Sequence, residues 1–441
     1  METRRLLICK LCAALVALLV SCAAPPAPPL ASPTPEAPAA LRPSPPPAAS
    51  PSPTRSAPTP TPGPRTLRLW VAEEGPALAF VEALAAGFAA ASGAPVEVVP
   101  RPADGLRLSV ATAALLGEPP PDLIWANQEV LAGLLADGAL QPVGRELGAA
   151  AVPALTTAAT AGGELWGAPV AAQGVLLLYF NRALLPAAPV TSDELLVMAR
   201  SAVTPEIAGM VMAWDEPPWL LAWMSAYGGA PTDAEGQTIT LDRPETVAAL
   251  GLLRELYGAS ADETVSFGAG QRFFARGNAA ITIDGDWSLS RYRAVSDTLE
   301  LGIAPLPTVP ATGRRAAAPI GGNFVMMHRS LEGEPRERAQ ALLDLLVDPA
   351  TQRRIAAELG RLPARAELLA EQSFDDPALA AAAVQARVAP GLAPTSAVRC
   401  ALFGIDVWLP SVLVGRLPQD EAATRMQREA EACLAREPEG L

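Results

Sequence analysis

Leu67, Leu69 and Val71 alternate with Arg68 and Trp70, the period-two pattern of a strand with one face against a core, over 66–71. A helix is predicted from about Pro76 to Ala91, with Phe80, Leu84 and Phe88 on one stripe and Gly93 placed to end it. A strand at Val96–Val99, a helix from Asp104 to Leu116 and a strand at Asp122–Ala126 continue the alternation. Strands recur at 174–180, 279–283 and 322–327. One helix opens on Thr191 with Glu194 three residues later, in capping-box spacing, and another runs from Pro244 to Gly258. Strands alternating with helices of this length build βαβ units, so the fold class is α/β, with a helix-rich tail beyond Leu331.

The pattern breaks at the N-terminus. Arg4, Arg5 and Lys10 precede an apolar run over 11–20 that is too short to span a bilayer, which is the form of a secretory signal peptide. No later segment is expected to be long and apolar enough to span a membrane. Residues 23–64 are almost entirely Pro, Ala, Ser and Thr and bury too little to offset the entropy of ordering, so an extended, disordered stalk is expected.

The remainder, about 65–441, is long enough for two domains. A net charge of -13 argues against a nucleic-acid partner, and a single histidine, His328, nearly removes histidine-based zinc sites and catalytic triads. Cys400 and Cys433 fall on two predicted helices, 396–414 and 419–435, almost equally far from the turn between them. A disulfide is therefore geometrically sensible, and two independent buried thiols are the alternative. Asp284 and Asp286 bracket Gly285 but lack the continuation of a calcium loop, so no metal is expected.

Several segments in order carry a resemblance. The end of the apolar run, Leu19-Val20-Ser21-Cys22, resembles the bacterial lipobox, which implies that residues 1–21 are removed and Cys22 is lipidated. Pro121 to Ala126, Gly163 to Pro169, Tyr179 to Leu185, Phe274 to Trp287, Ile303 to Pro307 and Gly321 to Phe324 together resemble the solute-binding proteins of ABC importers, in the branch that includes maltose-binding protein. The resemblance implies a type II two-lobed fold, each lobe a mostly parallel sheet flanked by helices. It implies lobe one at 66–171 with 326–346 and lobe two at 172–325 with 347–441, after a lipidated linker at 22–65.

It also implies a non-catalytic monomer, without cofactor, on the extracytoplasmic face of a membrane. There it would capture a sugar by hinge closure and deliver it to a permease. Aromatic faces stack on sugar rings while amides and carboxylates meet hydroxyls. The candidate ligand residues are therefore Glu73, Glu74, Trp125, Asn127, Gln173, Trp214, Asp215, Trp219, Asp286, Trp287 and Asn323. Each has a plainer role open to it: a core tryptophan for Trp125 or Trp287, a packed surface loop for Trp214 and Trp219, and a helix-dipole acid for Glu73 and Glu74. An acidic aromatic box for a polyamine would draw on Glu73, Glu74, Asp215, Glu216 and Asp286. An exported glycoside hydrolase would need two carboxylates across a cleft, for which Asp286 and Glu73 are the candidates.

Overall fold

The computed structural model describes residues 65–437, apart from 261–266, 296, 372 and 373. The expected signal peptide, lipidated Cys22 and stalk to residue 64 lie outside the described residues. The described chain folds around two sheets. In the first, the strands Leu67–Val71, Val96–Pro100 and Leu123–Asn127 pair in parallel, with Leu67–Val71 in the centre. Beside them the long strand Gly321–His328 runs antiparallel, followed by Ala168–Gln173 and the short Leu362–Pro363. The second sheet orders Leu301–Ala304, Leu176–Asn181, Ala279–Gly285 and Ala208–Met212, and its last pair is parallel. The parallel expectation thus holds at the βαβ units; Gly321–His328 runs antiparallel to Leu123–Asn127 and Ala168–Gln173 in the first sheet, and Leu176–Asn181 runs antiparallel to Ala279–Gly285 in the second.

Two apolar cores follow from this layering. Leu177 and Tyr179 join the core shared with the first sheet, while Leu176, Leu178 and Phe180 face the core of the second, an alternation that buries one strand on both faces. The helix Gly75–Ser92 buries Phe80, Val81, Leu84 and Phe88, and Gly93 ends it in the left-handed conformation. Thr191 caps the helix Ser192–Ala202 by accepting from the Glu194 N–H at 3.2 Å. The Glu194 carboxylate reaches back to the N–H of Val190, one residue before the cap.

Two helices, Gly75–Ser92 and Ser396–Leu413, are long and apolar enough to cross a membrane, which corrects the expectation that no segment after the signal is. Both pack an apolar stripe into the body of the fold; the hydropathy of Gly75–Ser92 comes largely from alanine, that of Ser396–Leu413 from Val, Leu, Ile and Phe.

Among the described residues the chain passes between the sheets three times. The first passage is Gly174–Val175, directly between Ala168–Gln173 and Leu176–Asn181, where Gly174 has φ 79°. The second leads from the second sheet to Gly321, and the third follows the helix Pro377–Ala386. These two run side by side, with the Ile320 N–H donating to the Pro390 carbonyl at 3.1 Å. The expected boundaries shift accordingly. Gly321–His328 lies wholly in the first sheet. The helix Pro349–Leu359 packs on Gly75–Ser92 and on Ala168–Gln173, so the return to the second lobe comes after Pro363 rather than at Val347. A strand as short as Leu362–Pro363 has no period to reveal it; only its partner defines it.

In the second lobe the helices Ser396–Leu413 and Gln419–Leu434 pair closely, and Cys400 and Cys433 are joined by a disulfide with Cα atoms 5.5 Å apart.

Candidate functional site

A cavity of about 530 Å³ opens between the two sheets, bounded by the first passage at Gln173 and Gly174 and by Pro319 near the second. From the first-sheet side it takes Asn127, Gln128, Glu129 and Arg361, and from the second-sheet side Asp286, Trp287 and Leu289. These positions lie at strand ends, where α/β crevices form.

Glu73 follows the first strand and is buried, so its charge needs partners. Arg361 grips both its oxygens, Nη1 to Oε1 at 2.7 Å and Nη2 to Oε2 at 2.9 Å. Trp125 Nε1 donates to Oε1 at 3.2 Å, and the Asn323 amide donates to the same oxygen. Glu73, Trp125 and Asn323, expected as ligand contacts, instead meet one another in a network behind the cavity wall, whose front is the guanidinium of Arg361. Pairing with Glu73 raises the Arg361 pKa further. Nothing in the sequence singled out Arg361, because its partner is 288 residues away.

Asn127 lines the cavity while its side chain accepts from the Val130 N–H at 3.1 Å, capping the helix Gln128–Ala136. Gln173 pairs with Gly321 across the sheet and lines the cavity with it.

Opposite stands Trp287, 51% exposed, with its indole over Gly285, where a Cβ would fall 2.2 Å from the ring. Only glycine permits that approach. Asp286 beside it is half-buried, and desolvation pushes its pKa up to about 6. The N–H groups of Val175, Gly174 and Trp287 and the charge of Arg361 oppose that rise.

Five expected ligand residues belong elsewhere. Trp214 is fully buried, edge-on to Tyr257 with ring centres 5.4 Å apart. Trp219 is buried on the helix Pro217–Tyr227 and donates to the Ile283 carbonyl at 2.8 Å. Both are core, Trp214 packed on Tyr257 ahead of that helix and Trp219 on a helix that buries most of its circumference, and neither can offer a ring face to a ligand. Trp125 is 1% exposed and offers only its N–H, to Glu73. Glu74 is exposed at the N-cap of Gly75–Ser92, and Asp215 does not line the cavity. The acidic box for a polyamine is thus not assembled: of its five carboxylates only Asp286 lines the cavity, with Glu73 behind it already paired. The hydrolase pair fails at the same point, since a Glu73 gripped on both oxygens is not available as acid or nucleophile.

Residues 83–382 match the family described as bacterial extracellular solute-binding protein. A maltotriose-binding protein of Pyrococcus abyssi is 24% identical over 292 residues, 64% of this chain and 63% of that protein. A maltooligosaccharide ABC transporter solute-binding lipoprotein of Streptococcus pneumoniae is 26% identical over 267 residues, 56% of this chain and 60% of that one. The chain thus spans less than two thirds of the length of these relatives. Among solved structures, a cyclo/maltodextrin-binding protein complexed with maltotetraose superposes with a TM-score of 0.75 at 22% identity, covering 85% of this chain and 98% of that one. A maltose-binding protein of Listeria monocytogenes in complex with maltose gives 0.75 at 18% identity, over 85% and 99%. These likenesses establish the two-lobed fold.

Proposed function

Because the chain belongs to the bacterial extracellular solute-binding proteins, we propose that it captures a sugar or short oligosaccharide between its two lobes and hands it to the permease of an ABC importer. The observation that carries this is the cavity between the sheets, where an exposed Trp287 faces the polar groups of Arg361, Asn127 and Gln173, the first two held in place by partners. An indole face meets the C–H face of a sugar ring, while the amides and the guanidinium meet its hydroxyls. The named ligands of the relatives, maltotriose and maltooligosaccharides, support the same class.

Closure follows from the passages. Three strands of chain, one pivoting at Gly174, join the lobes, and a ligand touching both walls favours the state in which both touch it. Lipidation at Cys22 and a Pro-rich stalk would hold a monomeric receptor on the extracytoplasmic face, within reach of the permease.

A thermal-shift screen of sugars and polyamines tests the reading. Maltooligosaccharides are expected to raise the melting temperature without being hydrolysed. Stabilisation by a polyamine and by no sugar would overturn it.

A further inference from the structure

Among the described residues lining the cavity, Arg361 is the one cation, and it faces the carboxylates of Glu129 and Asp286 in the same lining. Its own charge is cancelled from behind. Both Glu73 oxygens are within 2.9 Å of its Nη atoms, and Trp125 and Asn323 hold Glu73 where it is. A guanidinium carries five N–H groups in a fixed fork, so two are spent on Glu73 and the rest remain for a ligand as directed donors without net charge. Around the cavity, two lining carboxylates, Glu129 and Asp286, and a third behind the wall, Glu73, stand against one guanidinium. A hydroxyl finds donors and acceptors there; a carboxylate finds the donors together with an unfavourable field.

Resting on the carbohydrate reading above, we infer that Glu73 and Arg361 are a specificity pair, which makes the cavity a receptor for uncharged sugars and excludes sugars that carry a carboxylate. Glu73 acts through Arg361 and is a positioning residue. A bare Arg361 would be a bidentate carboxylate binder, and Glu73 occupies that role in advance. A purely structural tie between the two residues would affect stability but not the preference between a neutral sugar and its acid.

Calorimetric titration of the full chain in detergent at pH 8, with maltotriose and with maltotriose oxidised to the uronate at C6, separates these accounts. The native protein is expected to bind the neutral sugar at least about tenfold more tightly, the order expected for a charge near uncompensated charges at a protein surface. Glu73→Gln keeps an oxygen for Trp125, Asn323 and Arg361 but removes the charge, and is expected to bring the uronate within about threefold of the neutral sugar or past it. If that variant melts before it can be titrated, Glu129→Gln, whose carboxylate is exposed, is expected to narrow the native preference about threefold. Equal binding of the two sugars by the native protein overturns the inference, as does a folded Glu73→Gln with the native preference intact. Binding of neither sugar overturns the carbohydrate reading itself and takes this inference with it.

Discussion

On the first-sheet side of the cavity several polar groups are held by partners: Arg361 by Glu73, Glu73 by Trp125 and Asn323, Asn127 by the helix it caps. On the second-sheet side Trp287 stands half exposed over a glycine, and Asp286 is held by backbone N–H groups of the passage and its own turn. One wall is pre-organised and spends its order on stability; the other keeps its side chains available. A receptor that must close on its ligand gains from this division. The rigid wall fixes which hydroxyls are read, and the opposing one supplies apolar contact that is realised only when the lobes meet.

The largest expected effect concerns the scaffold behind the looser wall. The disulfide between Cys400 and Cys433 closes a loop of 33 residues in the second lobe. Cys400→Ser with Cys433→Ser is expected to lower unfolding stability by about 3–4 kcal/mol in urea melts. Sugar affinity should stay within about twofold, because neither cysteine lines the cavity. A large loss of affinity would mean that Trp287 depends on that staple for its placement.

Next comes the ordered wall. Glu73→Ala leaves a guanidinium, an indole N–H and an amide without their shared acceptor, and is expected to cost about 2–3 kcal/mol of stability. The figure is reduced from that of a fully buried pair because the Arg361 side chain is 28% exposed and water can reach it. A loss below about 1 kcal/mol would show that the network is not what orders this wall. Trp287→Ala should behave in the opposite sense, weakening sugar binding by about 1–2 kcal/mol while leaving the melt within about 0.5 kcal/mol of the native protein.

The two walls were not equally legible in the sequence. Trp287 and Asp286 stand at the end of a strand, and their place is visible from local pattern and family motif alone. The first wall is visible only in part: Glu73, Trp125 and Asn323 were nameable as polar or aromatic residues at strand ends, but their joint acceptor and donor pattern depends on Arg361, far along the chain. Trp214 and Trp219 misled for a different reason. Trp219 belongs to the run Pro217–Tyr227, apolar on nearly every face, which signals a buried helix more strongly than a loop of stacking platforms, and Trp214 follows the buried strand Ala208–Met212. Passages between lobes were misplaced where strands of two residues, such as Leu362–Pro363, take their identity from partners in another part of the chain.

The smallest expected effect sharpens the contrast at the looser wall. Burial raises the Asp286 pKa from its ordinary 3.8 to about 6 in the folded protein. Between those two values the native state binds more protons than the unfolded chain, so this group contributes stability at low pH that is lost as pH rises through about 6. Carboxylates held below their usual range act in the other direction, as Asp137 does beside Arg107, so the overall pH curve mixes both signs. Subtracting the curve of Asp286→Asn isolates the term. Relative to that variant, the native protein is expected to lose on the order of 1 kcal/mol between pH 4 and 7, after allowance for water at a half-buried carboxylate. A flat difference would place Asp286 in a solvated setting, and the two walls would then differ in their aromatic residue alone.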